Sequence, residues 1–174
     1  MLGNEIIVST IYERAMETEC TIVGTPYPGT FMTLVPAVAP IGGYIAQPAT
    51  APVIGRFSWQ AYAPYGGVDG QKSTITALLL PDYNQGMGPT TQYANGSRGY
   101  LYFPLPGDQY NALVSSVPVA GTADNHVIGD IMAIQWGTGV LERDVALAKN
   151  KDVCQLLETI NAIAVNTLMW CMGI

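Results

Sequence analysis

The residue best suited to move protons at neutral pH is histidine, and this chain has one, His126, in Asp124-Asn125-His126 just ahead of an apolar stretch. With Asp124 and Asp130 it forms an incomplete ligand set for a metal ion. No second histidine and no cysteine cluster completes the coordination. A polar loop running into a strand accounts for these residues better.

The three cysteines, Cys20, Cys154 and Cys171, are odd in number and contain no Cys-x-x-Cys pair. That argues against both a disulfide framework and a zinc site, and fits buried free thiols in a reducing compartment. A serine nucleophile calls for a strained turn such as Gly-x-Ser-x-Gly, which is absent; Asn95-Gly96-Ser97 reads as a hairpin turn. Lys72-Ser73 follows Gly70 without the glycine spacing of a phosphate loop, and Asp82-Tyr83-Asn84 lacks the acidic set of a calcium loop. Thirteen Asp plus Glu make some carboxylate pair possible by chance alone, so a hydrolase with dispersed carboxylates is only a third reading. The expectation is a protein that is not an enzyme, with no catalytic, cofactor-binding or metal-binding residues.

The elements that carry these residues point the same way. Charged residues are 11% of the 174, against roughly 25% in ordinary soluble domains, while the chain holds 19 Gly and 12 Pro. A lightly charged, apolar chain of this kind suits a surface covered by partners. The net charge is −6 and the seven Lys and Arg are scattered, so no basic stripe exists for a nucleic acid. Apolar runs such as Ala77–Leu80 are far shorter than the roughly 20 residues that span a bilayer, and no signal-peptide pattern opens the chain. Cytosolic synthesis and no membrane partner are expected.

Short apolar segments separated by Gly/Pro turns predict a mostly-β protein. Thr25-Pro26-Tyr27-Pro28-Gly29-Thr30 is turn chemistry, followed by a strand from Phe31 to Val35. Residues 36–55, rich in proline and glycine, read as an extended surface loop. Arg56–Tyr62 alternates with period two and reads as a strand, Gly66–Gly70 as a turn, and Ser73–Leu80 as a strand stopped by Pro81. Arg98–Phe103 is a strand rich in aromatics, and Gln109–Val114 reads as a single helical turn. Val127–Trp136 and Val140–Arg143 form a hairpin about Gly137-Thr138-Gly139. Over Asp152–Ala164, Val153, Leu156, Leu157 and Ile160 fit helical spacing, yet the β character of the neighbours favours strand-turn-strand, with Leu168–Met172 as a final strand.

Residues 1–19 read as an N-terminal arm preceding a single β domain over 20–174. Ile6, Ile7, Val8, Ile11 and Tyr12 are apolar among four glutamates, which marks them as candidates for contact with another protein. Tyr27, Tyr44 and Tyr65 join them, because tyrosine offers a large apolar area with a hydrogen-bonding tip and these three lie in or beside Gly/Pro segments. Packing of loops against a sheet edge is the alternative role for each tyrosine. For Ile6–Val8 the alternative is completion of the protein's own sheet.

Several segments, taken in order, resemble the head decoration (cement, capsid-stabilising) proteins of tailed bacteriophages. They are Val23-Gly24-Thr25 with Pro28–Met32, then Arg98 to Val114 including Pro104-Leu105-Pro106-Gly107-Asp108, then Ile128-Gly129-Asp130-Ile131-Met132 and Gly137-Thr138-Gly139-Val140-Leu141. Leu156–Asn161 and Leu168–Cys171 close the series. The Pro-rich 36–55 stretch is longer than the family leads one to expect, and the segment before Val23 is less familiar. The resemblance implies a small β-barrel or β-tulip-like domain with long Gly/Pro-rich loops, bound to the major capsid protein on the outer surface of the virion, with a homotrimer favoured. A β-sandwich carbohydrate-binding or adhesin module is the alternative from another class.

Overall fold

Behind the Pro28-Gly29 turn, the sequence Phe31-Met32-Thr33-Leu34 alternates its side chains between two faces, and all four are buried. A strand buried on both sides needs a core on each side. The computed structural model supplies two. It describes residues 6–11, 17–36, 44–49, 75–82, 86–88, 90–115, 126–143, 152–160 and 167–174. Every regular element among them is a strand: β1 (Ile7–Ser9), β2 (Glu17–Ile22), β3 (Phe31–Pro36), β4 (Tyr44–Pro48), β5 (Ile75–Leu80), β6 (Arg98–Tyr102), β7 (Gln109–Val114), β8 (Ile131–Ile134), β9 (Leu141–Arg143), β10 (Asp152–Leu156) and β11 (Thr167–Gly173).

Strands β2-β4-β3-β5-β6 close into a barrel. All its pairings are antiparallel except β2 with β4, where Thr21 faces Ile45 and Ile22 faces Ala46. Closure leaves this sheet no free edge. Its interior is filled by Cys20, Ile22, Met32, Leu34, Leu79 and Leu101 with the smaller Ala46 and Ala77, and Tyr93 lies in the same cluster. Each fully buried Leu, Ile or Met contributes about 1.5–3 kcal/mol.

The alternate residues Phe31, Leu78, Leu80 and Tyr102 face outward from the barrel into a second core, shared with a sheet of order β1-β7-β11-β10-β8-β9. A parallel bridge from Val114 to Leu141 brings β9 back onto β7, so this sheet curls round on itself. Tyr110, Met132, Ile134, Leu156, Met169 and Cys171 are among the side chains it encloses. One edge of β7 is shared by three segments. The Asn111, Leu113 and Ser115 N–H groups donate to the carbonyls of Ile6, Gly29 and Leu141 respectively.

Three sequence expectations change. Gln109–Val114 is not a helical turn but β7, because a six-residue register with β11 and the three edge bonds just named hold it extended. The 36–55 stretch contains β4, whose Ala46 is small enough to sit inside the barrel between β2 and β3. Residues 1–19 are not wholly outside the core: Ile6 is 2% exposed, β1 pairs with β7, and a boundary after residue 19 would cut through β2. Over 152–160 the favoured strand and turn are present, as β10 followed by a bend and a bridge from Ile160 to His126. The strands expected at Phe31, Ser73, Arg98 and Leu168, and the hairpin about Gly137–Gly139, are present as β3, β5, β6, β11 and the β8–β9 pair. The Arg56–Tyr62 strand and the Gly66–Gly70 turn lie outside the described residues.

Candidate interaction surface

The Pro104–Asp108 turn carries the chain from the barrel into the curled sheet, and Asp108 at its end is fully buried. A buried carboxyl group is costly unless its oxygens are engaged. Here Oδ2 accepts from the Tyr102 hydroxyl at 2.5 Å and the Leu105 N–H at 2.7 Å, and Oδ1 accepts from the Ile11 N–H at 3.0 Å. The Asp108 carbonyl accepts from the Gly173 N–H, and the Gly173 carbonyl accepts from the Gly107 N–H. Three separate segments, at residues 11, 104–108 and 173, are thereby tied together.

Two large apolar side chains stand out from this knot. Ile11 is 53% exposed and lies over Gly107, where an added Cβ would come within 3.3 Å of its Cδ1. Ile174 is 48% exposed, next to Gly173, with its N–H bonded to the Val153 carbonyl. Their backbones are fixed by hydrogen bonds while their side chains remain in solvent. That is pre-organised apolar surface, which would lose less freedom on any binding than a mobile segment.

The residues singled out from sequence do not form one patch. Ile6 is a core residue, Ile7 packs against the same core, and Val8 is part-buried on β1. Ile11 is exposed as described, and Tyr44, at 44% exposure, stands outward at the start of β4. Tyr27 is half-buried. Tyr12 and Tyr65 lie outside the described residues. Sequence reasoning missed Ile174, because a lone isoleucine after a strand carries no signal, and missed the role of Asp108, which was visible only as part of a Pro-Gly-Asp turn.

Tyr27 lines a cleft of about 280 Å³ between the barrel and the curled sheet. The Thr25–Thr30 loop and Pro48 form one wall, and Leu113, Thr138 and Val140 form the other. The walls are fixed relative to each other by the Leu113 N–H to Gly29 carbonyl bond and the Phe31 N–H to Gly139 carbonyl bond. Gly139 is required there: its φ is +72° and an added Cβ would fall 2.1 Å from the Phe31 carbonyl oxygen.

The groups first considered for chemistry are spread apart. Among the described residues no three His, Cys, Asp or Glu side chains come together in a metal-binding group. His126 is 8% exposed, neither ring nitrogen meets hydrogen-bond geometry with a described residue, and its pKa is lowered first by burial, against upward pulls from the nearby Ser115 backbone and Asp130 and with the smallest contribution, a lowering one, from Arg143. Asp130 instead pairs with Arg143 at 3.5 Å and accepts from the Val127 N–H. Burial, with a smaller effect of Glu19, pushes the Cys20 thiol up to about 12, and burial also holds Cys171 well above its usual value. These thiols stay protonated at neutral pH and behave as small apolar side chains.

No protein-family model matches the chain, and no curated protein matches it.

Proposed function

We propose that the protein is a structural subunit that binds other protein subunits, and in particular a decoration protein on the outer surface of a tailed-phage capsid lattice, associating there as a homotrimer. The observation that carries the reading is the presentation of Ile11: a large apolar side chain, 53% exposed, on a backbone anchored to a fully buried Asp108. The Pro106-Gly107-Asp108 run that contributes to the resemblance is the same run that makes this anchor. A low charged fraction supports the reading too, since partner binding is what removes apolar surface of this kind from water. Symmetric copies bridging neighbouring capsid subunits would add avidity without needing strong single contacts.

The test is co-sedimentation of the purified protein with capsids built from the major capsid protein, with light scattering of the free protein in parallel. The expected result is saturable pelleting, a trimer mass, and at least a tenfold weaker association for Ile11→Asp, or about 1.4 kcal/mol. Wild-type protein that stays in the supernatant at every capsid concentration overturns the capsid reading.

A further inference from the structure

The curled sheet repeats the barrel strand for strand. In the barrel β2 runs parallel to β4, and antiparallel pairs link β4 to β3, β3 to β5, β5 to β6 and β6 to β2. With β1 set aside, β7 runs parallel to β9, and antiparallel pairs link β9 to β8, β8 to β10, β10 to β11 and β11 to β7. The registers agree as well: Ile22 faces Ala46, which faces Leu34, just as Val114 faces Leu141, which faces Ile134. Gly29 and Gly129, both at positive φ, precede β3 and β8 and make the same bonds. The Gly29 N–H donates to the Leu79 carbonyl and the Leu79 N–H to the Thr30 carbonyl; Gly129, Leu156 and Asp130 do likewise.

The two units differ in what covers one of their faces. On the barrel, Pro28, Phe31, Leu80 and Tyr102 are buried. The curled sheet covers this face: Gly29 lies against Leu168 and Leu113, its carbonyl accepts the Leu113 N–H, and the Phe31 ring meets Tyr110 edge-on. The counterparts on the curled sheet are Ile128, Ile131, Leu157 and Met172. Ile128 is 65% exposed and the other three are half-buried. Gly129 is exposed too, and its carbonyl takes the Gln155 side-chain amide where that of Gly29 takes a backbone N–H from the other unit. The covering surface has an open counterpart of its own. By register Leu113 and Leu168 correspond to Thr21 and Arg98, and Gly139 to Tyr44. Arg98 is exposed, Tyr44 is 44% exposed, and Val23 beside Ile22 is 39% exposed.

We infer that a second copy of this chain covers the Ile128 face, laying Thr21, Tyr44 and Arg98 of its barrel over Ile128, Leu157 and Met172, so that the contact between the two units of one chain recurs between chains. The occupant follows from the repeat: the barrel is the unit whose open surface matches, position for position, the surface that covers Pro28 and Phe31. Arg98 stands where Leu168 would, and its stem can lie on Ile128 while the guanidinium stays in solvent near Glu19. Because the two surfaces differ, association is head-to-tail, which gives a ring if the rotation closes and a filament if it does not. Three chains closing in this way make a ring in which contacts within and between chains alternate. The inference rests on the self-association in the reading above and is independent of the capsid.

The test uses the full-length protein without capsids. Light scattering over concentrations on the order of 1–100 μM follows association of wild type and Ile128→Asp. The variant is expected to melt like wild type, since the side chain is at the surface, and to raise the dissociation constant at least tenfold. In parallel, the double variant Thr21→Cys with Ile128→Cys is treated with a short bismaleimide. The native cysteines are buried, so the new thiols react first. Covalent dimers and larger species are expected from the double variant and not from either single variant. Equal association of wild type and Ile128→Asp, or no intermolecular cross-link in the double variant, overturns the inference and leaves the trimer reading standing. Cross-linked dimers from Ile128→Cys alone overturn the head-to-tail contact in favour of a symmetric one. Wild type that is monomeric at every concentration overturns both readings, whereas Ile128-dependent association in a protein that fails to pellet with capsids supports this inference against the capsid reading.

Discussion

The hydroxyl of Tyr102 donates to Oδ2 of Asp108 across the turn that joins the barrel to the curled sheet. Tyr102 ends β6, with its side chain in the core shared by both sheets, and Asp108 immediately precedes β7. The bond fixes the direction in which the chain leaves one sheet and enters the other. The same carboxyl group holds Ile11 and Leu105 by their N–H groups.

Removing either partner should therefore cost stability unequally. Tyr102→Phe deletes one donor and leaves those of Ile11 and Leu105 on the carboxyl group, an expected loss of about 1–3 kcal/mol. Asp108→Ala strands three donors at once, an expected loss of about 3–5 kcal/mol after partial rescue by water. Urea unfolding midpoints at constant m-value measure both; an Asp108→Ala variant within about 1 kcal/mol of wild type contradicts this account.

Gly139 gives a sharper contrast. Gly139→Ala places a methyl group on the Phe31 carbonyl oxygen at positive φ, and Phe31 cannot withdraw without breaking its bonds to Gly139 and Ala49. A loss of about 4 kcal/mol or more is expected, seen as insoluble or unfolded protein. Gly137→Ala, at φ +96° with nothing within 4 Å, carries only the backbone penalty of about 1–2 kcal/mol, a drop in Tm of roughly 2–4 °C for each kcal/mol. Equal effects of the two substitutions are inconsistent with the crowding described.

What the sequence makes legible is the set of strands whose turn chemistry is local. Pro28-Gly29 before Phe31, Pro81 after Leu80, and the Gly137–Gly139 turn between β8 and β9 mark their own boundaries. What it hides is set by distant partners. Gln109–Val114 has no strand alternation, and its extended form is dictated by Ile6, Gly29 and Leu141 on one side and β11 on the other. Tyr44–Pro48 is a strand because β2 and β3 leave room for Ala46. The candidate site follows the same rule: Ile11 is visible as an apolar residue, but that Ile6, five residues earlier, is core while Ile11 is surface depends on Asp108, ninety-seven residues away.

His126 predicts a pH effect whose sign follows from its lowered pKa. The unfolded chain takes up a proton near pH 6.5, whereas the folded protein resists it, first because the ring is buried. The contribution of the neutral ring is thus fully present above pH 6.5 and is lost as pH falls from there toward the folded pKa, at up to about 1.4 kcal/mol per pH unit. Asp130, Arg143 and the Ser115 backbone are the groups that modulate it. His126→Phe, which also removes two buried nitrogens that have no partner among the described residues, should be neutral or stabilising at pH 7 and should flatten the stability profile below pH 6.5. Capsid association at pH 7 should be unchanged; a tenfold loss, or an unaltered profile, counts against this role.

The last prediction separates two isoleucines of the N-terminal segment that the sequence treats alike. Ile6 is 2% exposed in the shared core, and its carbonyl accepts the Asn111 N–H, so Ile6→Ala should cost about 2–5 kcal/mol whatever the protein binds. Ile11 lies in solvent over Gly107, so Ile11→Ser should change stability by less than about 0.5 kcal/mol, because it leaves the N–H bond to Asp108 in place. If Ile11 is a contact, that same substitution should weaken capsid association several-fold. Deleting residues 1–12 confounds these effects, since it removes the core anchor, the β1 pairing and the contact together; it should lower Tm by well over the roughly 4–8 °C that a 2 kcal/mol loss produces in a chain of this size. A truncated protein that melts like wild type would show that β1 does not hold the β7 edge as described, whereas an Ile11→Ser variant with full binding and full stability would remove Ile11 from the interface while leaving its anchor on Asp108 intact.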